Sequence, residues 1–253
     1  MKRNNVGLTI TFLIVVGLCS ILISNYSKSL DYNPYSYPKN GLADFYPDKI
    51  GYYKINPDTI LISLDRGKTN VFVQEFATPI TPLLETSVLW SQSDYLKINN
   101  AVFQSAWKET FDDWNLLSMI FQSACQDNPN GFETSDIHFF KLVEETSDYT
   151  TREVLINPRY GLVSFGRGVD FPYQRSGWKS INLNSLLITA DEALKIAEEN
   201  GGEHFRLAVQ NECRISLILN LEADDNWNVE YQKNDGLNNL KIQINPFTGK
   251  GNN

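Results

Sequence analysis

Apolar and polar residues alternate most regularly between residues 214 and 244. In RISLILNL, Ile215, Leu217, Leu219 and Leu221 take one side, and Arg214, Ser216, Ile218 and Asn220 take the other. Trp227, Val229 and Tyr231 alternate with Asn228 and Glu230, and Leu240, Ile242 and Ile244 alternate with Lys241 and Gln243. Successive side chains of a strand point to opposite faces, so these runs predict an antiparallel sheet with one covered and one wetted face. A helix signal precedes them. Thr189-Ala190-Asp191-Glu192 has the spacing of a capping box, and Ala190, Ala193, Leu194 and Ala197 fall on one narrow apolar stripe. Gly201-Gly202 supplies the positive φ that ends a helix. Small residues allow close approach, so this helix is the natural cover, and an α–β–β–β unit results.

Upstream, TILISLD, the turn RGKTN and VFVQEFA predict a β-hairpin within residues 52–77. Between 93 and about 125, Phe103, Trp107, Phe111, Trp114 and Leu117 or Ser118 recur at intervals of three and four. That spacing predicts helix, broken near Asp112-Asp113 and closed by QDNPNG. His138–Val143 and Arg152–Ile156 read as strands, the second running into Asn157-Pro158-Arg159-Tyr160-Gly161. Residues 139–161 and 227–249 align without a gap at an offset of 88, both ending I-N-P-x-x-G, and the same offset sets Cys125 on Cys213. A diverged tandem repeat is the expectation, with a degenerate copy at about 100–165. A third Ile-Asn-Pro, at 55–57, has no Gly at the matching place.

ITADEALKIAEENGG, then W-x-V-x-Y, then LKIQINPFTGK resembles the PepSY domain over about residues 187–250. The resemblance implies an alanine-rich helix packed on an antiparallel sheet. It also implies non-catalytic work: binding or restraining a partner at the cell envelope, in some members a peptidase. Two features depart from the pattern. The T-G-K turn leads into GNN rather than apolar residues, and an added strand carrying Cys213 stands between helix and Trp227.

The N-terminal pattern has no period. Val6–Ser24 carries no charge, and Lys2 and Arg3 precede it. Nineteen helical residues span roughly 30 Å, the thickness of a bilayer core. This predicts a single-pass anchor with its N-terminus cytoplasmic and the body extracytoplasmic. A cleaved signal peptide is the competing reading, although Leu22 fits poorly at −3 of a cut after Ser24. The expected organisation is an anchor at 1–24, a Tyr/Asn/Pro-rich linker at 25–50, an α+β region at 51–180 and the PepSY-like domain at 181–253.

Composition narrows the partners. With 22 Lys+Arg against 30 Asp+Glu the net charge is −8, and no basic cluster offers itself to nucleic acid. Of three cysteines, Cys125 and Cys213 lie outside the apolar segment. An oxidising compartment would permit a bridge between them, and two separate buried thiols are the alternative.

Catalytic signatures are sparse. The two histidines, His138 and His204, belong to no HExxH arrangement, and there is no CxxC, EF-hand loop or GxSxG. SFGRGVDF (164–171) lacks the Lys and following helix of a phosphate cradle and reads as a loop. The expectation is therefore no enzyme, no cofactor and no metal. Trp178, Trp227 and Tyr231, near Tyr160, Phe171 and Tyr173, are the candidate binding-surface aromatics, with core packing as the plainer reading. The function expected is partner binding at the envelope. A pilin-like subunit processed at Gly7 and an envelope hydrolase are the alternatives.

Overall fold

A computed structural model describes residues 50–68, 70–75, 81–85, 87–126, 129–143, 148–170, 183–220, 226–236 and 238–252. Val6–Ser24, nearly all of the linker, Trp178, Phe171 and Tyr173 lie outside them. Among the described residues no helix is long and apolar enough to cross a membrane. Asp48–Asn253 forms one compact unit.

The elements in chain order are β1 (Ile50–Lys54), α1 (Ile60–Asp65), β2 (Val73–Glu75), α2 (Gln92–Val102, extended by a π-type turn Phe103–Trp107), β3 (Asn115–Ala124), β4 (Thr134–Val143), β5 (Asp148–Asn157), β6 (Leu162–Asp170), α3 (Ala190–Ala197), a wide turn Glu198–Gly202, α4 (Glu203–Ala208), β7 (Cys213–Asn220), β8 (Trp227–Lys233), β9 (Asn239–Ile244) and β10 (Gly251–Asn252). The ten strands form a single sheet ordered β10-β9-β8-β7-β3-β4-β5-β6-β1-β2, and every pairing is antiparallel.

The order contains two copies of one arrangement. Helix α2 is followed by the meander β3-β4-β5, and helix α3 by β7-β8-β9. The first strands of the two meanders pair antiparallel, from Ser118 opposite Asn220 to Ala124 opposite Arg214. The described strands of 51–180 and of 181–253 thus lie side by side in one sheet. The covered face carries Met119, Phe121, Ile137, Phe139, Val154 and Ile156 from the first half. Ile215, Leu217, Trp227, Val229, Tyr231 and Ile242 continue it in the second. Ala190, Ala193 and Ala197 of α3 are fully buried against it, as the small-residue stripe requires.

Both Asn-Pro turns perform the same task. The Pro246 carbonyl accepts from the Leu187 and Ile188 N–H groups at 3.0 and 2.9 Å. The Arg159 carbonyl accepts from Leu83 and Leu84 at 2.8 and 3.1 Å. Each turn therefore holds the strand of chain that leads into its own half's helix. Gly161 and Gly249 close these turns with φ of 60° and 69°, a conformation other residues adopt at a cost. Asn56-Pro57 differs. Asn56 Oδ1 accepts from Asp58 N–H, and the Asn56 carbonyl accepts from Ile60 N–H, both at 3.0 Å, which starts α1.

Four expectations fail locally. Residues 60–65 are helix, not a hairpin strand, because the Asn56 turn nucleates it and Ile60, Leu61 and Leu64 pack at helical spacing. The helical reading of 93–125 holds only to Trp107. Lys108 at φ 61° ends it, and 115–124 is a strand. A register shift between Leu116 and Ser118 puts Leu116, Met119 and Phe121 on the covered face, none of them a member of the predicted stripe. Residues 162–170 are an interior strand, with Val163 buried, rather than a loop. Gly201, at φ 118°, breaks the C-terminal helix as expected, yet the chain resumes helix at Glu203.

Candidate functional site

The starts of α2 and α3 meet. Ser91 and Thr189 each cap their helix with a complete capping box, closed by Asp94 and Glu192. Asp191 Oδ2 accepts from the Gln92 N–H at 2.9 Å, and Gln92 Oε1 accepts from the Ala190 N–H at 2.6 Å. Each helix thus supplies an acceptor for the other's exposed first-turn donors. Burial holds the Asp191 carboxyl above its usual value, against the backbone bonds it accepts.

Asp191 and Leu194 also line a groove of about 490 Å³ with Pro129, Asn130, Glu198 and Arg206. Arg206 is 2% exposed. It donates to both oxygens of Glu198, to the Gln126 carbonyl at 2.6 Å and to Asn211 Oδ1 at 3.0 Å. Its guanidinium is fully committed, so this groove presents a structural ion pair rather than a free charge. A second groove, of about 650 Å³, contains Lys68, Lys97 and Lys108 beside Asn100 and Gln104. Lys97 is paired with Asp65, and Lys108 donates to the Ser105 carbonyl.

Of the predicted site residues, Cys125, Cys213, Trp227 and Tyr231 lie among the described residues. Cys125 and Cys213 are joined by a disulfide with Cα atoms 5.2 Å apart, and the Cys125 N–H also donates to the Cys213 carbonyl at 2.9 Å. The bridge extends the β3–β7 pairing by one residue pair and fastens the halves together. The two cysteines are not equivalent in the repeat, because Cys125 follows β3 whereas Cys213 opens β7. Trp227 and Tyr231 are not surface aromatics: both are fully buried on the covered face. Trp227 Nε1 donates to the Ile188 carbonyl at 3.0 Å, just ahead of the α3 cap. The Tyr231 hydroxyl donates to Glu198 Oε1 at 2.7 Å, and burial with that carboxylate pushes its pKa far above the ordinary phenol range. Trp178 lies outside the described residues.

Three side chains not foreseen as a group converge on the other face of the sheet. Asp136 and His138 are two apart on β4, and His138 stands directly opposite Glu153 on β5. One donor atom from each lies within 4.8 Å of the other two. Burial works against a charged His138 ring, yet the Asp136 and Glu153 carboxylates hold its pKa above the usual value. Burial raises Glu153, the neighbouring His138 opposes that rise, and Asp136 adds to it. The alternation of Asp136 and His138 with Ile137 and Phe139 already placed the first two on one face. Glu153 required the register of β4 on β5, which no local pattern reveals.

Arg152 was likewise missed. It shares the apolar parity of Val154 and Ile156 and is 3% exposed. Its Cζ lies 5.0 Å from the Trp107 ring and 4.4 Å from the Trp114 ring, and Glu109 pairs with it at 3.2 Å.

No family profile matches the chain, and no curated protein matches it. A solved structure described as a "putative lipoprotein" from Clostridium difficile 630 is similar at 15% identity and a TM-score of 0.39, covering 68% of this chain and 96% of its own. The chain is a mixed α+β protein built on an antiparallel sheet.

Proposed function

We propose that the protein is a membrane-tethered, extracytoplasmic binding protein that engages an extended segment of an envelope partner, a peptidase among the candidates, without itself catalysing a reaction. The charge-free Val6–Ser24 behind Lys2 and Arg3 supports the tether. The Cys125–Cys213 bridge accords with an oxidising compartment.

The observation that carries the binding mode is the edge at β9. β10 covers only Ile244 and Gln243. Among the described residues, Asn239–Ile242 have no strand partner on that outer side. A strand with one open side accepts an incoming segment through main-chain hydrogen bonds, with side-chain pockets supplying selectivity. Lys241 is exposed there, and a lysine on an edge discourages indiscriminate pairing.

Photo-cross-linking in intact membranes tests this. A probe at Lys241 should yield one discrete adduct with an envelope protein, while a probe at exposed Asp58 on the α1 turn should not. No adduct from Lys241, together with unchanged peptidase activity on deletion of the protein, overturns the proposal.

A further inference from the structure

We propose that Asp136, His138 and Glu153 form a binding site for zinc or a chemically similar divalent first-row metal ion. One imidazole and two carboxylates form a mixed nitrogen–oxygen set suited to zinc-class ions, whereas magnesium and calcium favour oxygen alone. Ligands around a common tetrahedral zinc at about 2.0–2.2 Å lie about 3.3–3.6 Å apart. The three donor atoms already lie within 4.8 Å of one another, so a small side-chain rotation brings them to bonding distance.

The local charge also calls for a cation. Two carboxylates share the site with one imidazole, and among the described residues no lysine or arginine pairs with either of them. The neighbours on this face include Ser118, Ile120, Thr151 and Leu155, which carry no charge. Side-chain exposures of 26% for His138 and 22% for Asp136 leave this pair only partly hydrated.

Geometry distinguishes this set from an ordinary histidine–aspartate hydrogen bond. Asp136 Oδ1 is 3.0 Å from His138 Nε2. That oxygen is shut off from solvent and accepts no well-directed hydrogen bond. The two atoms thus approach each other without a well-aligned ring N–H between them. Adjacent interior strands hold them, so the ligands are largely preorganised. Three protein ligands leave a coordination position open to water or to a partner's side chain.

The test is zinc titration of the full-length, tag-free protein in detergent, by calorimetry and by competition with a chromophoric chelator. One zinc per chain is expected. His138→Ala and Glu153→Gln should each weaken binding beyond the roughly 10- to 100-fold loss that removal of a mere supporting residue causes. Zinc should raise the Tm of the wild type but not of these variants. His204→Ala, which removes the only other histidine, should bind as the wild type does. Glu153→Gln preserves shape and volume, and near-ultraviolet circular dichroism confirms that each variant is folded. Absence of saturable zinc binding, or unchanged binding in folded His138→Ala and Glu153→Gln, overturns the assignment.

Discussion

Gln92 and Asp191 tie the two halves of the protein together by exchanging hydrogen bonds between helix starts. The Gln92 N–H donates to Asp191 Oδ2, and the Gln92 side-chain oxygen accepts from the Ala190 N–H. Gln92 is 5% exposed and Ala190 is fully buried, so water cannot replace either partner easily. Gln92→Ala should cost about 1–3 kcal/mol, the penalty for stranding a buried donor. Denaturant unfolding at neutral pH measures it.

Asp191 gives this junction a pH dependence. Burial raises its carboxyl above the usual value. A group raised on folding contributes stability that is complete below its unfolded pKa, about 3.9, and is lost as pH climbs through the folded one. The wild type should therefore lose stability relative to Asp191→Asn as pH rises from about 4. The asparagine oxygen still accepts from Gln92. A difference between the two proteins that stays flat with pH would contradict this.

The Cys125–Cys213 bridge closes a separation of 88 residues. Replacing both cysteines by serine should cost about 2–5 kcal/mol, mainly by freeing the unfolded chain. Both positions are nearly inaccessible, at 9% and 2%, so mild reductant should leave the native protein oxidised until it unfolds. Thiol labelling with and without denaturant checks both points.

Arg206 and Glu198 should behave as a unit. Arg206→Met alone leaves a partly buried carboxylate facing Tyr231 and should cost about 3–5 kcal/mol. Adding Glu198→Met should recover much of that loss, because two apolar groups replace an ion pair that was expensive to desolvate. A double mutant with additive losses would show that the pair is not coupled.

Two neighbouring glycines should fail for different reasons. Gly201 has φ 118° and ample space, so Gly201→Ala strains the backbone alone, by about 1–2 kcal/mol. Gly202 has an ordinary helical φ of −59°. A methyl group there would lie 2.3 Å from the Tyr231 hydroxyl. Gly202→Ala should cost about 1–3 kcal/mol by overpacking. Tyr231→Leu should reduce that increment and leave the Gly201→Ala increment unchanged.

The sequence was most legible where one physical signal acted alone. Strands β7, β8 and β9 alternate cleanly, and the Thr189 capping box fixes the start of α3. Elsewhere, signals overlapped. The aromatic spacing that began in α2 ran on past Lys108 into β3, and the Asn56 turn converted an apolar run into α1. The I-N-P-x-x-G echo correctly paired two turns, while the cysteine match at the same offset joined positions that are not equivalent. For Trp227 and Tyr231 the plainer reading, core packing, is the one the structure bears out, with their polar tips bonded to the Ile188 carbonyl and Glu198 inside the protein. Glu153 entered the His138 cluster only through cross-strand register, which is a tertiary property.

Because β3 and β7 pair as neighbours, the second half extends the sheet sideways instead of stacking upon the first. The chain enters at β1, seven strand positions from β9, a lateral reach of about 34 Å at the usual inter-strand spacing. In the proposed binding mode, a ligand strand added beside β9 would lie one position further from β1 still, and lengthening the chain ahead of β1 should leave its capture unaffected.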